Sequence, residues 1–120
     1  MKILLAQANR LEEAELIDFF QALSYTVESV YERVELNRRL DGNDIDIVFY
    51  NVQSMEDFAQ ISYINHYYPE VKVIVSMENG MCSAIENIRS GAFRTIKKPY
   101  RLSELCSYCK ADPEQRQTRD

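Results

Sequence analysis

Short apolar runs alternate along the chain with longer segments in which apolar residues recur at helical spacing, and this alternation predicts βα units around a parallel sheet. Five runs read as strands: Ile3-Leu4-Leu5-Ala6, a weaker one from Tyr25 to Val30, Ile45 to Val52, Val71 to Ser76, and Phe93 to Ile96. The first, third and fourth are apolar without alternation, the pattern of a central strand covered by helices on both faces.

Helices fill the intervals. Asn9-Arg10-Leu11-Glu12 has capping-box spacing and opens a helix with Leu16, Phe19, Phe20 and Leu23 on one face, ending near Ser24. A second is predicted from about Tyr31 to Leu40, closed by the turn signal Asp41-Gly42-Asn43. Ser54 is placed to cap a third, with Phe58, Ile61 and Ile64 facing inward, which stops before Pro69. Met81, Ala84, Ile85 and Ile88 mark a fourth, ended by Gly91, and Leu102, Leu105, Cys106 and Cys109 a fifth. Residues 111–120 are polar without a core face and read as a tail or the start of a linker, which leaves residues 1–110 as the domain.

Composition narrows the function. A chain of 120 residues suits one core and leaves no room for a second. No apolar run approaches the roughly 20 residues that span a bilayer, so a soluble protein with no membrane partner is expected. Fourteen Lys+Arg against 19 Asp+Glu give a net charge of −5, which argues against direct nucleic-acid binding. The one histidine, His66, excludes a histidine-cluster metal site and leaves a single candidate base for a nucleophilic triad. The opening apolar stretch is too short for a signal peptide, and three cysteines with nothing pointing to secretion make a reduced cytoplasm the expected compartment.

In an open parallel sheet, ligands and chemistry gather at the carboxyl ends of the strands. Those ends are Gln7-Ala8 after the first strand, Tyr50-Asn51-Val52 on the third and Ser76-Met77 on the fourth, while the fifth leads into Lys97-Lys98-Pro99-Tyr100. Ser76, Gly91-Ala92 and Lys98-Pro99-Tyr100, in that order and spacing, together with the strand Asp46-Ile47-Val48-Phe49-Tyr50-Asn51, make residues 2 to about 110 resemble the CheY-like receiver domains of two-component response regulators. The resemblance implies a doubly wound (βα)5 flavodoxin-like α/β fold, a five-stranded parallel sheet with helices on both faces. It also implies a regulatory rather than enzymatic function, and a peptide bond before Pro99 that is usually cis.

The departures from the family bear on function. Receivers carry two adjacent acids after the first strand which, with a phosphoacceptor Asp, hold Mg²⁺; the matching positions are Gln7, Ala8 and Asn51. An amide cannot attack a phosphoryl group to form an acyl phosphate, and Mg²⁺ binds through carboxylates besides phosphate and water. The loop after Asn51 is shortened to Gln53-Ser54-Met55 without a proline, and the aromatic on strand five whose rotamer reports activation aligns with Thr95. A degenerate pocket of Gln7, Ala8, Asn51, Ser76, Thr95 and Lys98 therefore suggests a pseudo-receiver with neither metal nor cofactor. Lys98 could still hydrogen-bond Asn51. The alternative is a small-ligand sensor with a pocket remodelled around Ser76 and Lys98, the latter able to hold an anion.

Other features have plainer readings. Cys106-Ser107-Tyr108-Cys109 is a C-x-x-C, but it falls on the apolar stripe of the last helix and not at the start of a helix after a strand, where a redox pair gains its low thiol pKa. Cys82 reads as structural too, and zinc lacks enough ligands. His66 closes the third helix, where an imidazole can meet terminal carbonyls, and Tyr63, Tyr67 and Tyr68 supply aromatic surface beside it, for packing or for a partner. Arg89, Arg94, Lys97, Lys98 and Arg101 concentrate cations in thirteen residues, and the resemblance implies that most of them lie on or near the face which helix four, strand five and helix five present for self-association or for a protein partner, a solvated charged face being the plainer reading. An output domain beyond Asp120 fits the same pattern.

Overall fold

The apolar runs without alternation form the middle of a parallel sheet, in a computed structural model that describes residues 1–78 and 93–110. The strands are β1 (Lys2–Ala6), β2 (Thr26–Val30), β3 (Ile47–Asn51), β4 (Lys72–Met77) and β5 (Phe93–Lys97), and the described helices are α1 (Arg10–Ala22), α2 (Arg33–Asp41), α3 (Asp57–Tyr67) and α4 (Leu102–Lys110). The sheet order is β2-β1-β3-β4-β5, every neighbouring pair parallel. This is the doubly wound flavodoxin-like arrangement. The fourth predicted helix with its Gly91 cap, Cys82, Arg89, Gly91-Ala92 and the polar tail lie outside the described residues.

Alternation along each strand divides the core in two. Leu4, Ala6, Val48, Tyr50, Val73 and Val75 face Leu36 and Leu40 of α2 and Phe58, Ile61 and Ile64 of α3. Ile3, Leu5, Ile47, Phe49, Ile74 and Ile96 face Leu16 and Phe20 of α1 and Leu105 of α4. β2 gives the weakest sequence signal because it is an edge strand. Its Glu28 binds the Arg39 guanidinium of α2 in a fork at 2.6 and 2.8 Å, clamping that helix over the edge.

Local signals set the boundaries. Asn9 caps α1, its Oδ1 accepting from the Glu12 backbone N–H at 2.9 Å. Asn9→Ala is expected to cost about 1 kcal/mol in urea unfolding with the native far-UV spectrum retained; an unchanged midpoint would show that the cap contributes nothing. In the Asp41-Gly42-Asn43 turn the left-handed position belongs to Asn43 (φ 64°), while Gly42 stays right-handed (φ −70°). No helix among the described residues is long and apolar enough to cross a membrane.

Candidate functional site

Strand order reverses between β1 and β3, so the crevice at their carboxyl ends is where this topology places a site. Gln7 enters it directly from β1 in the left-handed region, φ 62°, a strained conformation for a residue with a Cβ. The surrounding hydrogen bonds hold it there. Its backbone N–H donates to Val30 O at 3.0 Å, and its side-chain amide donates to Asn51 O at 3.1 Å. Its carbonyl accepts from Asn51 Nδ2 at 2.9 Å and from Gln53 Nε2 at 3.2 Å.

Asn51 ends β3 directly opposite Ser76 of β4, and the Ser76 hydroxyl donates to Asn51 Oδ1 at 3.2 Å. Both residues are buried, Asn51 3% exposed and Ser76 fully enclosed. The crevice is therefore filled by neutral amides and one hydroxyl bonded to each other, and Ala8, buried beside them, adds no polar side chain. The donor set does not fit Mg²⁺, a hard cation that calls for carboxylate oxygen: Asn51 turns an N–H, not a second oxygen, toward Gln7. Among the described residues no group of three or more His, Cys, Asp or Glu side chains is placed to hold a metal ion.

The chain after Asn51 is tied down by an acid. Ser54, placed by its sequence position to cap the third helix, does not do so; α3 starts at Asp57, and its boundary residue Glu56 makes no side-chain cap. Asp57 reaches back instead, its Oδ2 accepting from the backbone N–H groups of Gln53 (2.7 Å) and Ser54 (3.1 Å) and its Oδ1 from the Tyr50 hydroxyl (3.3 Å). Burial, and then the negative charge of Asp57, hold the Tyr50 phenol well above the ordinary tyrosine range.

Lys98 belongs to a neighbouring constellation. Its peptide bond to Pro99 is cis. Its ammonium lies 3.8 Å from Glu12 Oε2, which also accepts from the Tyr100 hydroxyl at 3.0 Å. Glu12 was legible as the acidic member of a capping box, yet its carboxylate is turned to the loop after β5 rather than back to Asn9. The two side chains are largely buried, 13% exposed for Glu12 and 17% for Lys98. Burial and the Glu12 charge push the Tyr100 phenol far above its ordinary range. Asn51 meanwhile has its amide on Gln7 and its carbonyl oxygen on Ser76.

The remaining predicted residues are spread more widely. Thr95 lies half-buried on β5 beside Val75. Arg94 and Lys97 are on the same strand, and Arg101 is exposed at the entry to α4. Cys106 and Cys109 fall within the span of α4. His66 is exposed in the last turn of α3, edge-on to Tyr67 at 4.6 Å between centroids, and Tyr63 packs on Tyr67 at 4.7 Å. Glu12, Gln53 and Asp57 were missed as site residues. The available signal was position: the first turn of a helix that follows a strand opens onto the carboxyl edge of the sheet.

No protein-family model matches the chain, and no curated protein does. Solved structures do. The signal receiver domain of an HD domain-containing protein from Pseudomonas fluorescens Pf-5 superposes with a TM-score of 0.80 at 19% identity, covering 98% of this chain and 97% of that one. A response regulator receiver domain protein from Clostridium thermocellum gives 0.76 at 20% identity over 89% of each chain. NtrX from Brucella abortus, solved in complex with ADP, gives 0.77 at 17% identity over 91% of this chain but 25% of its own length. With the sheet order and the loop after β5, these likenesses establish that the chain has the flavodoxin-like fold of response regulator receiver domains.

Proposed function

We propose that the domain is an atypical receiver, a signalling module that works through protein contacts without aspartyl phosphorylation. The observation that carries this reading is Asn51, whose amide is committed at both ends, to Gln7 and to Ser76, where the resemblance places a phosphoacceptor. Among the described residues, a crevice closed by its own hydrogen bonds offers no nucleophilic carboxylate and no carboxylate ligand for Mg²⁺. Lys98, the one cation retained from the family's pocket, is drawn toward Glu12. The domain acts by binding rather than by catalysis, in the cytoplasm, as part of a response-regulator pathway. Its contacts are made through the face that carries Arg89, Arg94, Lys97 and Arg101. NtrX, a much longer chain, supports a further output domain beyond the polar stretch at 111–120.

The test is thermal. Beryllofluoride with Mg²⁺, which mimics an aspartyl phosphate in a competent receiver, leaves the melting temperature and the amide spectrum of this domain unchanged. Stabilisation that requires both components overturns the reading.

The alternative of a small-ligand sensor around Ser76 and Lys98 meets a divided geometry. Ser76 is fully enclosed and hydrogen-bonded to Asn51, whereas Lys98 lines a separate cleft. That cleft is the observation in favour of a ligand.

A further inference from the structure

At the edge of the sheet opposite the amide-filled crevice, a cavity of about 450 Å³ lies between the turn that ends α2 and the turn that ends α3. That volume is within the range of small-molecule sites. Its floor is the margin of the core: Leu40 and Ile45 are 2% and 7% exposed, and Val71 packs against the same cluster. Tyr67, Tyr68 and Pro69 form the wall.

The two tyrosines are held in different ways. The Tyr68 hydroxyl donates to the Asp41 carboxylate, so its O–H is already committed and the residue contributes its ring. Tyr67 is braced from its own helix, packed on Tyr63 at 4.7 Å and edge-on to His66 at 4.6 Å between centroids, yet stays 61% exposed. A single exposed ring is ordinary, but here it stands beside apolar side chains at the margin of the core, and a flat apolar body that covered both would bury their surface together. The rim supplies the polar contact. Asp46 Oδ2 accepts from the Lys2 backbone N–H at 2.8 Å, which orients the carboxylate, and its Oδ1 has no donor among the described residues. Pro69 has no N–H and Tyr68 has spent its O–H, so the rim accepts hydrogen bonds more readily than it gives them.

We propose that this cavity binds a small planar aromatic molecule bearing an N–H or O–H donor, of the indole or phenol class, with its ring between Tyr67 and the floor of Leu40, Ile45 and Val71 and its donor turned to Asp46. The ring wall and the apolar floor supply the site, and the carboxylate orients what enters it. Asp46 immediately precedes β3 and Asn51 ends it, so the cavity and the crevice lie at opposite ends of one strand. The site therefore does not depend on whether the domain is phosphorylated.

Amide-resolved NMR titration of the full chain tests this with indole and phenol as probes and with cyclohexanol, a ring that is not flat, as control. The expected result is saturable shifts at residues 40–46 and 67–71 with both aromatics and none with cyclohexanol. N-Methylindole keeps the ring without the N–H and binds about tenfold more weakly, as loss of a hydrogen bond to a charged acceptor implies. Tyr67→Ala, at an exposed position where the core is untouched, weakens indole about five- to tenfold, whereas Tyr67→Phe keeps the ring and keeps the affinity. Cyclohexanol or N-methylindole binding as tightly as indole overturns the proposal. So do shifts that fail to saturate or that ignore Tyr67→Ala, both being general adhesion to exposed aromatic surface.

Discussion

Asp57→Ala is expected to destabilise the domain by about 3 kcal/mol in chemical unfolding at neutral pH. Asp57 is only 4% exposed and accepts from two backbone N–H groups and a buried phenol. Hydrogen bonds to a charged group are worth about 1.5–3 kcal/mol each, and donors left unpaired in the interior add to the loss. Asp57→Asn keeps one acceptor oxygen and falls between wild type and alanine. The phenol provides a second readout. Tyr50 is raised above its ordinary value of 10.0 by burial first and the Asp57 charge second. A phenol raised in the folded state contributes stability that is complete below the unfolded value and is lost as pH rises through the folded one. The loss therefore begins near pH 10 in both proteins, but it is smaller in Asp57→Ala, where the folded value drops while burial keeps it above normal. An alanine variant with wild-type stability and an unaltered alkaline limb would show that Asp57 does not hold the loop.

Asp57 also shows what hydrophobic patterning cannot locate. It is one of many acids on the helices, with Glu12, Glu13, Glu15, Asp18, Glu32 and Glu35, and in that set Glu12 and Asp57 are turned inward. Periodicity locates the apolar face of a helix, but it says nothing about the first turn, where side chains project beyond the cylinder toward the sheet edge. The capping signal at Asn9 was legible because it is local, needing only the next three residues. Ser54 misled for the same reason: a good cap residue in the right place loses to a carboxylate that satisfies two N–H groups at once.

The sheet was more readable than its decoration. Uniformly apolar runs name β1, β3 and β4 as central because burial on both faces demands it, and β2 was faint because an edge strand tolerates Thr26 and Glu28. The meeting of Asn51 with Ser76 was legible too, since both close adjacent parallel strands in register. The partner of Lys98 was less legible: Glu12, on the helix that follows β1, faces its ammonium at 3.8 Å and gives its charge a counter-ion that no amide can match.

Asn51→Asp, the substitution that nominally restores the phosphoacceptor, is expected to destabilise the domain by about 2–4 kcal/mol at neutral pH and to confer no response to beryllofluoride with Mg²⁺. The energetic argument is geometric. Asn51 Nδ2 donates to the Gln7 carbonyl at 2.9 Å, and an aspartate sets a negative oxygen against that acceptor in a position only 3% exposed. Ser76 remains as a donor to the other oxygen, too little to compensate for lost hydration. Burial without a cation raises the folded-state pKa of the new carboxyl above its unfolded value. The sign follows: the variant is nearest to wild type below about pH 4, where the carboxyl is neutral in both states, and its deficit grows as pH rises through the folded-state value. The chemical argument is one of numbers of ligands. One carboxylate in a crevice of Gln7, Ala8 and Ser76 leaves Mg²⁺ short of hard oxygen, so the acyl phosphate mimic finds no metal to neutralise it. Replacing Gln7, Ala8 and Asn51 all by aspartate supplies the missing set, and in that triple variant Mg²⁺ alone raises the melting temperature by relieving mutual repulsion. A response of Asn51→Asp alone to the mimic, or a triple variant indifferent to Mg²⁺, would contradict the assignment of Gln7 and Ala8 as the missing metal ligands.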